Sequence, residues 1–514
     1  MKLRNQELAH KAQWAQAGIK LPQFDREAMI AATRAEPGWV HFGSGNIFRI
    51  FGAALQQTLL DKGLVKTGII MVAGRNGEIL DRVFKPCDNL TLGVTLKNDG
   101  TIEKKVIASV ADSLWMGNTE DFEELARIFR SPSLQMASFS ITEKAYNIED
   151  KALGQRGHYL SDLTLLLLER YKAGAHPLAL VSMDNCAHNG AKLSAVVRKA
   201  ASLISRDRGF IEYMEDTSKI SFPWTMIDMI VPSPDPSVQK ILEDLGFRDT
   251  EIYRKDTVSA PFVNAEETQY LVIEDDFPNG RPPLEGEGVF FTDRDTVNRA
   301  ERMKVQSCLN PLHSTLAIFG CLLGYTLISE EMRNPLLVKL IETIGYKEGM
   351  PVVEHPGIID PQEFIRTAIQ VRLPNPFLPD TPQRIAVDLS QKITVRFGET
   401  IKAYLASETL RIEDLNMIPL VLAGWVRYLM GLDDQGNPFQ VSADPLYAEL
   451  YPHIKDIGLG QKGPFPQLRP IFSDARIFAV DLYQAGLGEK AEAYFEELVA
   501  GPGAVKRTLE KYCG

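Results

Sequence analysis

Cysteine is scarce in this sequence of 514 residues, and none of the five present, Cys87, Cys186, Cys308, Cys321 and Cys513, forms a CxxC pair. Widely spaced thiols in odd number argue against a disulfide framework and against a structural zinc site, and fit a reducing cytoplasm. The eight histidines include no HxH or HExxH pattern, so no metal is expected to take part in the chemistry. Long apolar runs are missing too. LTLLLLERY and PLVLAGWVRYLMG are too short or too interrupted by charge to span a bilayer, and the opening MKLRNQELAHKAQWAQAG lacks the apolar core of a signal peptide. Positive charge is outnumbered, 56 Lys and Arg against 67 Asp and Glu, and the net charge of -11 argues against nucleic acid or an anionic membrane as partner. No internal repeat, low-complexity tract or block of like charge stands out.

What is present is ordinary globular composition, 45% hydrophobic and 24% charged, in a chain too long for one core, so two or three domains are expected. The first half alternates β-rich runs (WVHFGSG, TGIIMVAG, KVIASVADSLW, QMASFSIT, PLALVSMDN) with amphipathic helical patterns (NIFRIFGAALQQTLLDKG, YLSDLTLLLLERYKAG, AKLSAVVRKAASLISRDRG). The last of these helices is expected to end at its glycine. Such alternation predicts a mostly parallel sheet covered by helices, a Rossmann-like doubly wound α/β domain. FPNGRPPLEGEG reads as a connector, and beyond it helical periodicity takes over, as in STLAIFGCLLGYTLISEEM. The expected division is residues 1–290, a dinucleotide-binding domain, and residues 291–514, a mainly helical domain for substrate and catalysis.

VHFGSGNIFR is a strand running through Gly43, Ser44 and Gly45 into a helix that opens with Asn46, Ile47 and Phe48. Glycines at such a turn let backbone approach a pyrophosphate at the positive helix end, although Phe48 stands where the third glycine of GxGxxG would be. A plain tight turn would use the same glycines. The second strand carries no acid at its tip to grip a ribose; Arg75 stands near there and could meet a 2'-phosphate or simply be solvated, so NAD and NADP both stay open. VSMDNCAHNG places Asn185 straight after a buried-type strand, at the sheet edge where ligands of such folds bind. KVQSCLNPLHS sets Lys304, Asn310 and His313 close together. Pro311 suits the first turn of a helix with Asn310 as a natural N-cap, while Lys304 and His313 taken singly could be a surface charge and a core histidine.

Together these segments resemble the mannitol dehydrogenase family of polyol-specific long-chain dehydrogenases. VHFGSGNIFR is similar to the family's cofactor turn, SITEKAYNI to its TEKGY segment, VSMDNCAHNG to its DN...NG block and FPWTMIDMIVP to its TMVDRI-P signature. KVQSCLNPLHS resembles its lysine-asparagine-histidine run, VRLPNPFLPD its RFSNP segment and AGWVRYLMGLDDQGNP a later block, all in one collinear order from about residue 39 to about residue 440. VIEDDFPNGRP and AGWVRYLMGLDDQGNP look most like the branch that reduces fructuronate to D-mannonate with a nicotinamide cofactor. The likeness has departures: Lys304 and Asn310 stand one residue further apart than is usual in the family, Pro311 and Leu312 replace Gly-Ser, and Met229 replaces an arginine.

The resemblance implies metal-independent hydride transfer with NAD, or NADP, between a small keto-sugar acid and its polyol acid. Lys304, if desolvated, would exchange the proton. Asn185 and Asn310 would donate to the developing oxyanion, and His313 would orient a neighbouring hydroxyl. Asp228 and Arg372 would hold substrate hydroxyls or a carboxylate. Mannitol 2-dehydrogenase or tagaturonate reductase activity, an isomerase using bound NAD transiently, and a non-redox sugar-binding protein that keeps the fold are the alternatives.

Overall fold

The computed structural model describes every residue except 75, 142, 147–152, 154, 155, 256 and 287. The chain forms two compact units, Met1–Asn298 and Arg299–Gly514.

Six strands organise the first unit: β1 (Trp39–Phe42), β2 (Ile69–Ala73), β3 (Val110–Trp115), β4 (Met136–Phe139), β5 (Leu178–Ser182) and β6 (Ile220–Ser221). Neighbours pair in parallel in the order β3-β2-β1-β4-β5-β6. That order reverses direction at β1, which opens a crevice beyond the strand ends on the β1–β4 side. Strands buried on both faces explain the near-continuous apolar runs. In β1, Val40 and Phe42 pack with Phe129, Phe139 and Leu163 on one face. Trp39 packs with Phe51, Met71 and Val181 on the other. Alternate side chains of a strand point to opposite faces, so two separate helix layers each gain anchors worth roughly 1.5–3 kcal/mol per large side chain.

Three local expectations change. KVIASVADSLW is two strands: Ile102–Ile107 pairs antiparallel with Thr91–Leu96 in a separate sheet, and only Val110–Trp115 joins the parallel one. The helix expected to run to a glycine stops at Ile204, and Gly209 lies in a new helix, Arg208–Glu215, because the Asp207 side chain accepts from the Gly209 N–H at 2.9 Å and starts it. The presumed connector is built into the first unit. Strands β7 (Thr225–Asp228), β8 (Tyr270–Glu274) and β9 (Val289–Thr292) form a small sheet, β7 antiparallel and β9 parallel to β8, so FPNGRPPLEGEG is the crossover between β8 and β9. Asn279 Nδ2 ties it down, donating to the carbonyls of Pro132 and Leu134 at 2.9 and 2.7 Å. The compact units divide later, inside the helix Arg294–Arg302.

Among the described residues the second unit is helical. Its centre is the helix Met417–Tyr428, every residue of which is buried. It approaches the helix Asn310–Leu323 so closely that a carbon on Gly424 would lie 2.8 Å from the Phe319 ring. The buried carboxylate of Glu348 caps that centre, accepting backbone N–H groups of Asn416, Met417 and Ile418 at 2.7–2.8 Å. A negative charge at the positive helix end satisfies donors that have no partner within the helix. No helix among the described residues is long and apolar enough to cross a membrane.

Candidate active site

In the first unit, β1 leaves the sheet at Gly43. Its φ of +132° suits glycine, and a side-chain carbon there would stand 2.6 Å from the Ser140 carbonyl oxygen, so the backbone is pressed against the end of β4. The Gly43 N–H donates to Val72 O at 2.9 Å, tying the turn to β2 as well. Ser44 and Gly45 follow, and among the described residues nothing beyond its chain neighbours lies within 4 Å of where a Gly45 side chain would begin. The helix then opens at Asn46 and Ile47. First-turn N–H groups have no acceptor in their own helix and sit at the positive end of its dipole, so backbone donors, an open space and a close-pressed glycine together fit a pyrophosphate. Asn46 Nδ2 donates to Val258 O at 3.2 Å.

Phe48, in place of the third glycine, lays its ring flat on the His41 imidazole at 3.7 Å. His41 was not singled out from the sequence, although a histidine inside the apolar run WVHF is the kind of polar exception that marks a special position. Its ring nitrogens meet Ser138 Oγ at 2.7 Å and Ser140 Oγ at 2.9 Å, and Trp39 Nε1 also donates to Ser138 Oγ. Burial pushes its pKa down to about 3, so the ring is neutral and braces β1 against β4. At the tip of β2, Gly74 leaves room for the Tyr159 ring, whose hydroxyl donates to Val72 O at 3.2 Å. Arg75 lies outside the described residues.

Asn185 is exposed, just past the end of β5. Its neighbours in the DN...NG block are frame rather than surface. Asp184 accepts from the Tyr146 hydroxyl at 2.6 Å, and buried Asn189 donates to Asp184 O, Thr225 O and Thr225 Oγ1 while accepting from Thr225 N–H. These bonds splice β7 to the end of β5, and β7 ends on buried Asp228. Met229 is partly buried against the apolar cluster that contains Ile227 and Leu271.

In the second unit, Lys304 is 2% exposed. The helix Arg294–Arg302 widens into a π-helical turn, Met303–Cys308, where the Leu309 N–H donates to Lys304 O at 3.1 Å across five residues. A turn of this kind absorbs one extra residue without lengthening the helix. The backbone breaks at Leu309 (φ -134°, ψ -57°) and the helix Asn310–Leu323 begins. Asn310 is therefore not the N-cap expected of it: the cap position falls on Leu309, no side chain caps the helix, and the Asn310 amide is spared that task.

One turn on, His313 Nε2 stands 3.3 Å from Asp380 Oδ2. Burial alone would raise the Asp380 carboxyl, but His313 and the Arg384 guanidinium, which grips its other oxygen, outweigh burial and hold it down at about 2. Asp380 and Arg384 were missed; the only signal was an acid and a base four apart in DTPQR. Cys308, whose thiol burial pushes up to about 12, lies with Sγ 3.9 Å from Pro361 O and is inert packing. It joins the Lys304 turn to the helix Pro361–Thr367, which continues through a second widened turn, Ala368–Arg372, to buried Arg372. Lys304, Asn310, His313 and Arg372 thus stand on consecutive or adjoining elements of one unit. Gly43 through Phe48, Asn185 and Asp228 stand on strand ends of the other.

The same division appears in comparison with known proteins. A profile of the mannitol dehydrogenase Rossmann domain matches residues 37–286, and one of the mannitol dehydrogenase C-terminal domain matches residues 296–498. The chain belongs to the mannitol dehydrogenase family. As a member it is an oxidoreductase with a Rossmann domain and the family's helical C-terminal domain. It is 48% identical to a D-mannonate oxidoreductase of Thermotoga maritima, the match covering 100% of this chain and 99% of that one. It is 27% identical to a polyol:NADP oxidoreductase of Gluconobacter oxydans, over 84% of this chain and 87% of the relative. Among solved structures, the ternary complex of Pseudomonas fluorescens mannitol 2-dehydrogenase with NAD and D-mannitol matches with a TM-score of 0.72 and 25% identity, covering 100% of this chain and 99% of that one.

Proposed function

We propose that this member of the mannitol dehydrogenase family interconverts fructuronate and D-mannonate by hydride transfer with NAD. The 48% identity to a D-mannonate oxidoreductase along the whole chain carries the substrate reading. The glycine turn after β1, open above Gly45, supports a nicotinamide dinucleotide. NAD is preferred because the matched mannitol dehydrogenase holds it; a relative named for NADP makes both worth assaying.

When bound, the nicotinamide supplies or takes the hydride. The carbonyl oxygen then gains negative charge and needs a proton, which the ammonium of Lys304 gives and, in the reverse direction, its amine takes. Asn310, its amide not committed to helix capping, donates a hydrogen bond to that oxygen, and Asn185 is assigned the same role. Fixed amide donors of this kind are worth roughly 3–4 kcal/mol each. His313, held by Asp380, orients a substrate hydroxyl. Asp228 and Arg372 bind the remaining polar groups of the sugar. Nothing in this set asks for a metal: an ammonium and neutral amides carry the proton and the charge. The five cysteines, all free and four of them buried, support a reducing cytoplasm.

The test is a panel of fructuronate, tagaturonate and fructose with NADH and NADPH, following the absorbance of the reduced nicotinamide. Fructuronate should turn over fastest. Cofactor binding without turnover on any of them would move the protein to a non-redox sugar binder.

A further inference from the structure

We propose that Arg396 reads the carboxylate of the sugar acid and so separates acidic substrates from neutral polyols and ketoses. The inference rests on the sugar-acid reading above and gives it a residue.

Two buried arginines elsewhere in this protein, Arg170 and Arg427, spend their donors on carbonyl oxygens, and Arg49 donates to the Ala260 carbonyl and the Thr91 hydroxyl. Arg170 donates to five carbonyl oxygens, those of Phe129, Ser131, Leu134, His176 and Pro177. Arg427 donates to those of Leu432, Asp433 and Leu498. Such side chains are frame. Arg396 is built differently. It sits in a widened turn, Thr394–Gly398, and among the described residues its one hydrogen-bond partner is the hydroxyl of Ser314. Burial lowers its pKa only to about 10, so it is a guanidinium at neutral pH, and among the described residues no carboxylate faces it.

Of the acids near this turn, Asp388 and Asp444 act on Lys392, and two have other partners. Asp380 holds His313 and Arg384, and Asp444 accepts from Ser390, both its N–H and its hydroxyl. One helical turn before Arg396, Lys392 donates to Val387 O; its own pKa is lowered by burial and then by the charge of Arg396. Two like charges in a partly dehydrated place, one lacking a counter-charge, leave an electrostatic vacancy that an anion fills favourably. A planar fork of donors suits a carboxylate in two-pronged geometry.

Position supplies the rest. Ser314 directly follows His313 in the first turn of the helix Asn310–Leu323, and the Thr394–Gly398 turn packs on both that helix and the Met303–Cys308 turn that carries Lys304. The turn that carries this guanidinium therefore packs against the elements that carry the residues assigned to the carbonyl end. A keto-uronate presents its carboxylate at the far end of the same short carbon chain.

The experiment compares wild type with Arg396→Met and Arg396→Lys, measuring kcat/KM for fructuronate and for fructose, and the Kd of D-mannonate and mannitol by calorimetry. Melting temperature and NADH affinity report on folding. In Arg396→Met the ratio of kcat/KM for fructuronate over fructose should fall by roughly 30-fold or more, chiefly through KM, and D-mannonate should lose its advantage over mannitol. Arg396→Lys, which keeps the charge but not the fork, should recover part of that loss. If wild type reduces fructuronate and a folded Arg396→Met keeps the ratio and the D-mannonate affinity, Arg396 is not the reader while the sugar-acid function stands. If wild type reduces no keto acid, the function itself is wrong and the inference goes with it. Should Arg396→Met fail to fold, an unchanged ratio in Arg396→Lys together with unchanged D-mannonate affinity overturns the proposal.

Discussion

The two polar corners of this protein are built on opposite principles. Around Gly43 the groups are neutral: the indole of Trp39, the imidazole of His41, and the hydroxyls of Ser138 and Ser140, linked by bonds of 2.7–2.9 Å. Around His313 they are full charges: Asp380, Arg384, Lys392 and Arg396, with Lys304 on the neighbouring turn. The two histidines carry the contrast. Complete burial keeps His41 neutral between its two serine hydroxyls, whereas His313 looks at a carboxylate. A turn that holds phosphates through backbone donors needs shape and stiffness, and neutral bracing supplies both without competing charge. A corner proposed to trade protons and grip an acid needs full charges at hand. Substitutions in the first corner should then register as stability and cofactor affinity, those in the second as turnover and substrate choice.

The largest effect belongs to Lys304→Ala. Losing the proton donor should lower kcat by roughly 100- to 10,000-fold, with NADH affinity and melting temperature nearly unchanged. Stopped-flow hydride transfer and cofactor titration separate the two, and near-normal turnover would erase the contrast.

Next comes an acid that sits in the charged half without a counter-charge. Glu331 is fully buried, neither of its carboxyl oxygens has a hydrogen-bond partner among the described residues, and it fits only because Gly320 has no side chain. Burial pushes its pKa from 4.5 up to about 9. Across that window the folded protein keeps a proton that the unfolded chain releases. Fewer protons on the unfolded state mean that this group's contribution to stability falls as pH rises from about 4.5 to about 9. Glu331→Gln has no proton to release. Its melting temperature relative to wild type should be higher at pH 8 than at pH 5, by an amount equivalent to a few kcal/mol, since each tenfold change in proton affinity between the two states is worth about 1.4 kcal/mol. Parallel curves for the two proteins between those pH values would mean that Glu331 ionises in the fold.

Gly43→Ala probes the neutral corner. The positive φ and the 2.6 Å approach of Ser140 O leave no place for a methyl group, so destabilisation of about 1–3 kcal/mol and weaker NADH binding are expected together. Loss of turnover at saturating NADH, with stability intact, would instead put Gly43 in the chemistry.

How these corners would form was legible only in part. The β1 turn could be read because its determinants are local: a buried strand, two glycines and a helix start lie within ten residues of sequence. The parallel sheet was legible for the same reason, each strand being a continuous apolar run between turn residues. The lysine, asparagine and histidine run could be found, but not its surroundings, because Asp380, Arg384 and Arg396 reach it from segments far along the chain. Of the two readings offered for Asn310, the cap falls away, since a widened turn at Met303–Cys308 shifts where the next helix begins, and no residue type announces such a turn. FPNGRPPLEGEG misled because proline and glycine mark a crossover between parallel strands as readily as a linker.

The smallest effect decides how the charged corner divides its labour. Asp380→Asn keeps the shape of the side chain and removes the charge facing His313. Arg384 is largely exposed and can turn to water, so the change should act through the imidazole. The 3.3 Å approach of His313 Nε2 to Asp380 is an ionic contact without hydrogen-bond geometry, worth about 1 kcal/mol, so kcat/KM should drop by roughly fivefold. If His313 orients a substrate hydroxyl, the loss falls mainly on KM, because that contact exists before the hydride moves. A collapse of kcat matching that of Lys304→Ala would mean that the proton travels through His313 and Asp380, and the charged corner would then hold an acid–base pair with Lys304 as its electrostatic support.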